Sequence, residues 1–223
     1  MPKKQKKTVI FTGPSLNHKE ASSIFSEAIY MPPIKRGDAI KAFEEGASII
    51  GIIDGVFFQD VAVSPRELLH LLDKGAIIVG GGSMGALRAA ELDVYGMIGV
   101  GEIYEMYKRG EIYSDDEVAL VFNPYTLEPL SEPLVNIRFN LKRLVEKGII
   151  EHRIALELLK IAKNIHYTQR SYERILETAL REGVINIDIH KQITLSLKKL
   201  KVDLKRLDAI KVIEKVKELA KTV

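Results

Sequence analysis

The chain of 223 residues has no cysteine. That excludes disulfides, thiolate catalysis and Cys-ligated metal. It has no apolar run approaching the roughly 18 residues of a membrane span, so no membrane partner is expected. Its five histidines, His18, His70, His152, His166 and His190, show no metal-ligand spacing, and neither a metal nor another cofactor is expected. A G-x-G-x-x-G run with an acid about 20 residues on is missing, and so is a P-loop lysine, which weakens a nucleotide-binding reading. Basic helices in the second half come without an aromatic-bearing RNA motif, which argues against nucleic acid and fits an acidic protein partner. The start, MPKKQKK, is basic, but the apolar run after it is too short for a signal peptide, so a cytoplasmic location is the expectation.

A single sign of charge is also lacking, because the net +3 conceals a division. Residues 8–130 carry 9 Lys/Arg against 18 Asp/Glu, a net of −9, whereas residues 131–223 carry 20 against 12, a net of +8. The four lysines of the tail supply the rest. The charge change coincides with a change of periodicity near Leu127–Ser131. The expected organisation is therefore a basic tail at 1–7, an α/β core at 8–130 and a helical part at 131–223. The absence of Cys with abundant Ile, Lys and Glu is also compatible with a thermophile.

Apolar runs at Thr8–Thr12, Ser48–Asp54, Ala76–Gly80 and Glu117–Phe122 read as strands. Helices are expected between them: from Asn17 to about Ala28, from Asp38 to near Gly46, and from Ser64-Pro65-Arg66-Glu67 to Asp73. The last opens with N-cap Ser, N1 Pro and N3 Glu. A further helix closes at Gly110. This rhythm predicts an open, mainly parallel, Rossmann-like α/β sheet followed by a helical C-terminal part. In the latter, Leu134, Ile137, Leu141 and Leu144 recur at helical spacing. Helices are expected at 132–147, 151–164, 168–182, 188–199 and 204–221, with Gly148 and Gly183 as stops.

Ligands of such sheets bind outside the carboxyl ends of the strands. The topology brings Gly13-Pro14-Ser15, Asp54-Gly55 and Gly82-Ser83 to that one rim. The stretch Ala76–Glu91, AIIVGGGSMGALRAAE, joins a buried strand, a glycine turn and a helix start, which together make an anion site. It also spells G-x-S-x-G at Gly81, Ser83 and Gly85, the spacing of a nucleophile elbow. The alternative is that Ser83 caps the helix and the glycines pack. Arg88 and Glu91, at i and i+3, can pair on one helix face. Facing the rim, Arg88 can grip a carboxylate or thiocarboxylate; facing solvent, the pair is worth roughly 0.3–0.5 kcal/mol. Asp54, Ser83, Arg88 and Glu91 are the catalytic candidates. Gly13, Ser15, Arg36, Asp38, Gly55, Gly81, Gly82 and Met84 are the candidates for binding substrate. Asp38 has an alternative role as an N-cap, and the acids at Asp115-Asp116-Glu117 read either as a solvated turn or as ligands for Mg²⁺.

Read together, the segments Gly13-Pro14-Ser15-Leu16, Pro33-Ile34 with Arg36-Gly37-Asp38, Ile53-Asp54-Gly55-Val56-Phe57 and Ser83–Glu91 resemble the TfuA-like family. Gly96-Met97, Gly99-Val100-Gly101, Asp115–Ala119 and Pro133–Arg138 extend the match over nearly all of residues 8–140; Val202–Arg206 and Asp208-Ala209 match more loosely. At Pro65-Arg66-Glu67 the resemblance leads one to expect His-Lys-Glu; if that histidine serves as a base in relatives, this chain does without it. The resemblance implies a part in peptide backbone thioamidation. There a YcaO-type enzyme activates the amide with ATP and a sulfur source replaces the oxygen. It implies sulfide release from the C-terminal thiocarboxylate of a ubiquitin-like sulfur carrier, and recruitment of the peptide or protein substrate. In methanogenic archaea that substrate is a glycine of methyl-coenzyme M reductase. The competing expectations are a non-catalytic adaptor that docks the YcaO enzyme, and a nucleotide-binding module using Gly80–Gly82.

Overall fold

The computed structural model describes residues 7–57 and 61–222; the basic stretch 1–6 lies outside them. Five strands, β1 (Lys7–Phe11), β2 (Ile29–Met31), β3 (Ala47–Ile52), β4 (Ile77–Gly81) and β5 (Ile98–Val100), form one sheet in the order β2-β1-β3-β4-β5. Every pairing is parallel, as the alternation of strand and helix predicts. Side chains of the strands alternate between two cores. Val9, Phe11, Ile50, Ile52 and Ile78 lie in one, with residues of α2 (Asp38–Glu44), α3 (Pro65–Asp73) and α4 (Met84–Leu92). Ile10, Ile49 and Val79 lie in the other, with Ala21 of α1 (His18–Ile24) and Ala209, Val212, Ile213 and Val216 of α10 (Leu204–Thr222). Each such aliphatic side chain contributes roughly 1.5–3 kcal/mol on burial.

Helix starts are set largely by local chemistry. Asn17 Oδ1 accepts from the Glu20 amide at 2.9 Å and Ser64 Oγ from the Glu67 amide at 3.2 Å, so both expected caps form. Asp38 is not a cap. Gly37 holds the N-cap position of α2, and Asp38 Oδ2 accepts from the Lys35 amide at 2.8 Å, closing the turn before the helix. Two strands escape a sequence reading. β2 and β5 have three residues each, too few to show a period of two, and a glycine sits at the centre of β5. Glu117–Phe122 is no strand of the sheet. Glu117 ends a 3-10 turn, and Phe122 makes one isolated bridge to Pro129. Its apolar character reflects burial of Val118 and Ala119 without β pairing.

The chain divides into two compact units, Met1–Asp115 with Lys205–Val223, and Asp116–Leu204. The boundary expected near Leu127–Ser131 falls inside the second unit, and α10 is part of the first. The second unit holds α6 (Leu134–Glu146), α7 (His152–Asn164), α8 (Tyr172–Arg181) and α9 (Ile187–Leu200), close to the expected spans. The predicted stripe of Leu134, Ile137, Leu141 and Leu144 is buried there with Leu158, Ile175 and Ile193. Arg170, 1% exposed, donates to the Asp116 carboxylate at 2.8 Å and to the carbonyls of Ala162 and Ile165. A buried guanidinium is tolerable only when so fully bonded.

Two carboxylates of the first unit make opposite contributions to acid stability. Asp208, fully buried, accepts from the Ile103 amide of α5 (Glu102–Lys108) at 2.7 Å, and Lys211 Nζ lies 3.1 Å away. Burial outweighs these bonds and pushes its carboxyl above the usual range. The folded state therefore binds a proton before the unfolded chain does, and this site gains stability as pH falls through the raised value. Asp93 is held below the usual range by its hydrogen bond to Lys108, with Tyr104 Oη adding a second at 2.8 Å. Its contribution is complete above about pH 3.9 and is lost as pH falls through the lower folded value. In urea titrations between pH 7 and pH 3, the stability of the wild type relative to Asp208→Asn should rise on acidification. Relative to Asp93→Asn it should fall.

Candidate functional site

The rim outside the carboxyl ends of β1, β3 and β4 contains two separate groups of candidate residues. The first is closed. Asp54, just beyond β3 and 2% exposed, accepts from the Gly13 and Ser15 amides at 2.9 and 3.0 Å through Oδ2, and from Ser15 Oγ at 2.6 Å through Oδ1. Lys205 Nζ of α10, itself 2% exposed, stands 4.0 Å from Oδ1. Both carboxylate oxygens are thus engaged by the protein. Gly13, Ser15 and Asp54 do meet, as the topology predicts, and what they make is a clamp joining the ends of β1 and β3.

The central stretch is equally tight. The φ of 73° that a sharp turn needs is at Gly82, while Ser83 has φ −150° and ψ −121°. A nucleophile elbow holds its serine on the turn with Oγ exposed. Ser83 occupies the N-cap position of α4 but its side chain makes no capping bond, and it is 1% exposed. Its amide donates to Gly81 at 2.8 Å, and the Gly85 amide to Ile53 at 3.1 Å. Among residues 83–87, only the Met84 amide lacks a carbonyl partner among the described residues. A Cβ on Gly80 would lie 2.3 Å from the Gly85 carbonyl oxygen, and one on Gly81 2.6 Å from Val212 of α10. Protein therefore fills the space over these glycines that a nucleotide phosphate would need. Gly55 serves a similar purpose: a Cβ there would meet Met84 Cγ at 2.8 Å.

The second group is open. A cavity of about 220 Å³ is lined by Arg36, Phe57, Ala62, Val63, Ser64, Pro65, Met84, Leu87, Arg88 and Asp115. Arg88 faces this cavity, with its side chain only 13% exposed. Its Nε donates to the Val63 carbonyl at 2.9 Å, and Nη1 donates to both Glu91 oxygens at 3.0 and 2.7 Å. These bonds fix the guanidinium plane and leave Nη2 without a partner among the described residues. Arg36 is carried by the turn before α2, whose backbone is pinned twice. The Arg36 amide donates to Val61 at 2.8 Å, and the Gly37 amide to Glu67 Oε1 at 3.0 Å. Ser64 and Pro65 bring the positive start of α3 to the same wall. Phe57, Val63, Met84 and Leu87 supply an apolar side. Two guanidinium groups, a helix start and an apolar wall suit a carboxylate-like head on a slim chain.

Of the candidate residues, Arg36, Met84 and Arg88 line this cavity, and Glu91 orients Arg88. Asp38 supports the turn that carries Arg36. Gly13, Ser15, Asp54, Gly81, Gly82 and Ser83 do not line it. The acids at 115–117 separate instead of gathering: Asp116 binds Arg170, Glu117 binds Arg138, and Asp115 borders the cavity. Sequence reasoning missed Ser64 and Pro65 as site residues although it identified the helix they begin. Starts of helices share the rim with ends of strands in parallel sheets, and that rule could have found them. Lys205 gave no comparable signal.

The strand order makes this a doubly wound α/β protein, with a pocket lined by two arginines outside the strand ends. No curated protein matches the chain. A model of the TfuA-like protein family matches residues 54–171, more than half of it, and the chain belongs to that family. Membership connects it with thioamidation-related processes and with YcaO partners. No helix among the described residues is long and apolar enough to cross a membrane.

Proposed function

We propose that this chain hydrolyses the C-terminal thiocarboxylate of a ubiquitin-like sulfur carrier and supplies the sulfide to a YcaO-type enzyme. That enzyme forms a backbone thioamide, with the glycine of methyl-coenzyme M reductase as the intended target. The supporting observation is convergence. Arg36, Arg88 and Asp115 come from three distant segments of the resemblance and border one cavity. In this reading the carrier's slim tail lies along Phe57, Val63 and Leu87. Its thiocarboxylate is held by Arg36 and by Nη2 of Arg88, and the Met84 amide is the donor for charge developing on the acyl oxygen. Water is the nucleophile, since Ser83 is enclosed and does not line the cavity.

Incubating thiocarboxylated carrier with the purified chain tests the reaction. Sulfide should appear without any YcaO enzyme; its absence would leave the adaptor reading. Ser83→Ala distinguishes the two nucleophiles. With no capping bond to lose, it should melt near the wild-type temperature and release sulfide within about threefold of the wild-type rate. A loss of about a hundredfold in a folded protein would return the attack to the serine hydroxyl.

A further inference from the structure

We infer that Asp115 is the catalytic proton acceptor of this pocket, an assignment that rests on the hydrolysis reading above. The acids around the cavity can be taken one by one. Glu91 has both oxygens on Arg88 Nη1, and Asp38 binds the Lys35 amide. Glu67 gives one oxygen to the Gly37 amide, is 6% exposed and does not line the cavity. Asp54 is held by Gly13 and Ser15. Asp116 and Glu117, next in sequence, are bound to Arg170 and Arg138. Asp115 remains. It lines the cavity, is exposed to water, and has no hydrogen bond or ion pair among the described residues. It belongs to the same compact unit as Arg36 and Arg88. No histidine lines the cavity, so this carboxylate is the one base-type side chain among the described residues that border it.

The chemistry balances with water alone. A water oxygen forms a bond to the acyl carbon and gives a proton to the Asp115 carboxylate, while the C=O electron pair moves onto oxygen. When the tetrahedral intermediate collapses, the C–S bond breaks and Asp115 returns the proton to sulfur, which leaves as HS⁻. The acid formed then loses its proton to solvent. The sum is RCOS⁻ + H₂O → RCOO⁻ + HS⁻ + H⁺. The two arginines bind the anion throughout, so binding and proton transfer are divided between different side chains.

Asp115→Asn keeps the shape and removes the base. In the sulfide-release assay with the full chain and thiocarboxylated carrier, kcat should fall about a hundredfold or more, the lower range for general base catalysis. KM should stay within about threefold, and the melting temperature should not move because no bond is lost. Part of the rate should return in Asp115→Glu, which restores the carboxylate, as a merely structural role would not require. A folded Asp115→Asn protein with wild-type kcat, or one changed only in KM, would overturn the assignment while leaving the hydrolase reading intact. A wild-type chain that releases no sulfide would remove both.

Discussion

Arg88→Ala is expected to weaken binding of the carrier tail by about 10- to 150-fold, corresponding to the roughly 1.5–3 kcal/mol of a hydrogen bond to a charged group. Calorimetric titration with carrier ending in a plain carboxylate measures this without turnover. Arg88→Lys is the more informative change. It retains the charge, but an ammonium cannot hold Val63 and Glu91 and still present a fixed donor to the ligand. A loss close to that of alanine is therefore expected. Arg36→Ala should also weaken binding, with little effect on stability because Arg36 is exposed. If folded variants at both arginines bound the tail with wild-type affinity, the cavity would not be the carrier site.

The largest stability effect is expected from one methyl group. A Cβ at Gly85 would lie 1.8 Å from the Ile52 carbonyl oxygen and 3.3 Å from Gly80 Cα. The obstruction is backbone, with no side chain able to rotate away. Gly85→Ala must therefore push α4 off the ends of β3 and β4. Overpacking of a core typically costs 1–3 kcal/mol, and a backbone clash this close belongs at or above about 3 kcal/mol. At roughly 2–4 °C per kcal/mol for a chain of this size, thermal melting should shift down by about 6–12 °C or more. Ser83→Ala, two residues away, is the control. An unchanged melting temperature for Gly85→Ala would mean that α4 does not rest directly on the strands.

This clash also shows which parts of the sequence were readable. The G-x-S-x-G spacing was visible, but two explanations shared it. A strand–turn–helix needs glycine wherever helix and strand backbones touch, and an elbow needs it around the nucleophile. Only the close approaches at Gly80, Gly81 and Gly85 separate the two. Parallel strands, the caps at Asn17 and Ser64 and the helix spans of the second unit were legible because each rests on local periodicity or a local hydrogen bond. Asp54 was legible as a rim residue. Its engagement by Gly13 and Ser15 was not, since that depends on a loop 39 to 41 residues away. Arg88 and Glu91 could be paired from their spacing, but the Val63 carbonyl that orients the guanidinium lies on another segment. The mixed character of α10 concealed its partner: its apolar positions look like those of any helix and do not say which core they enter.

That α10 packs on the sheet has a consequence for how the protein is made. Ile10, Ile49 and Val79 are covered by Ala209, Val212, Ile213 and Val216. On the ribosome, one side of the α/β unit remains greasy and open until translation has passed residue 216. Residues 116–204 carry their own core, so their folding does not depend on α10, which follows directly after them. The first-made portion therefore cannot finish folding before nearly all of the chain is made, and its waiting strands are the surface a chaperone would have to shield.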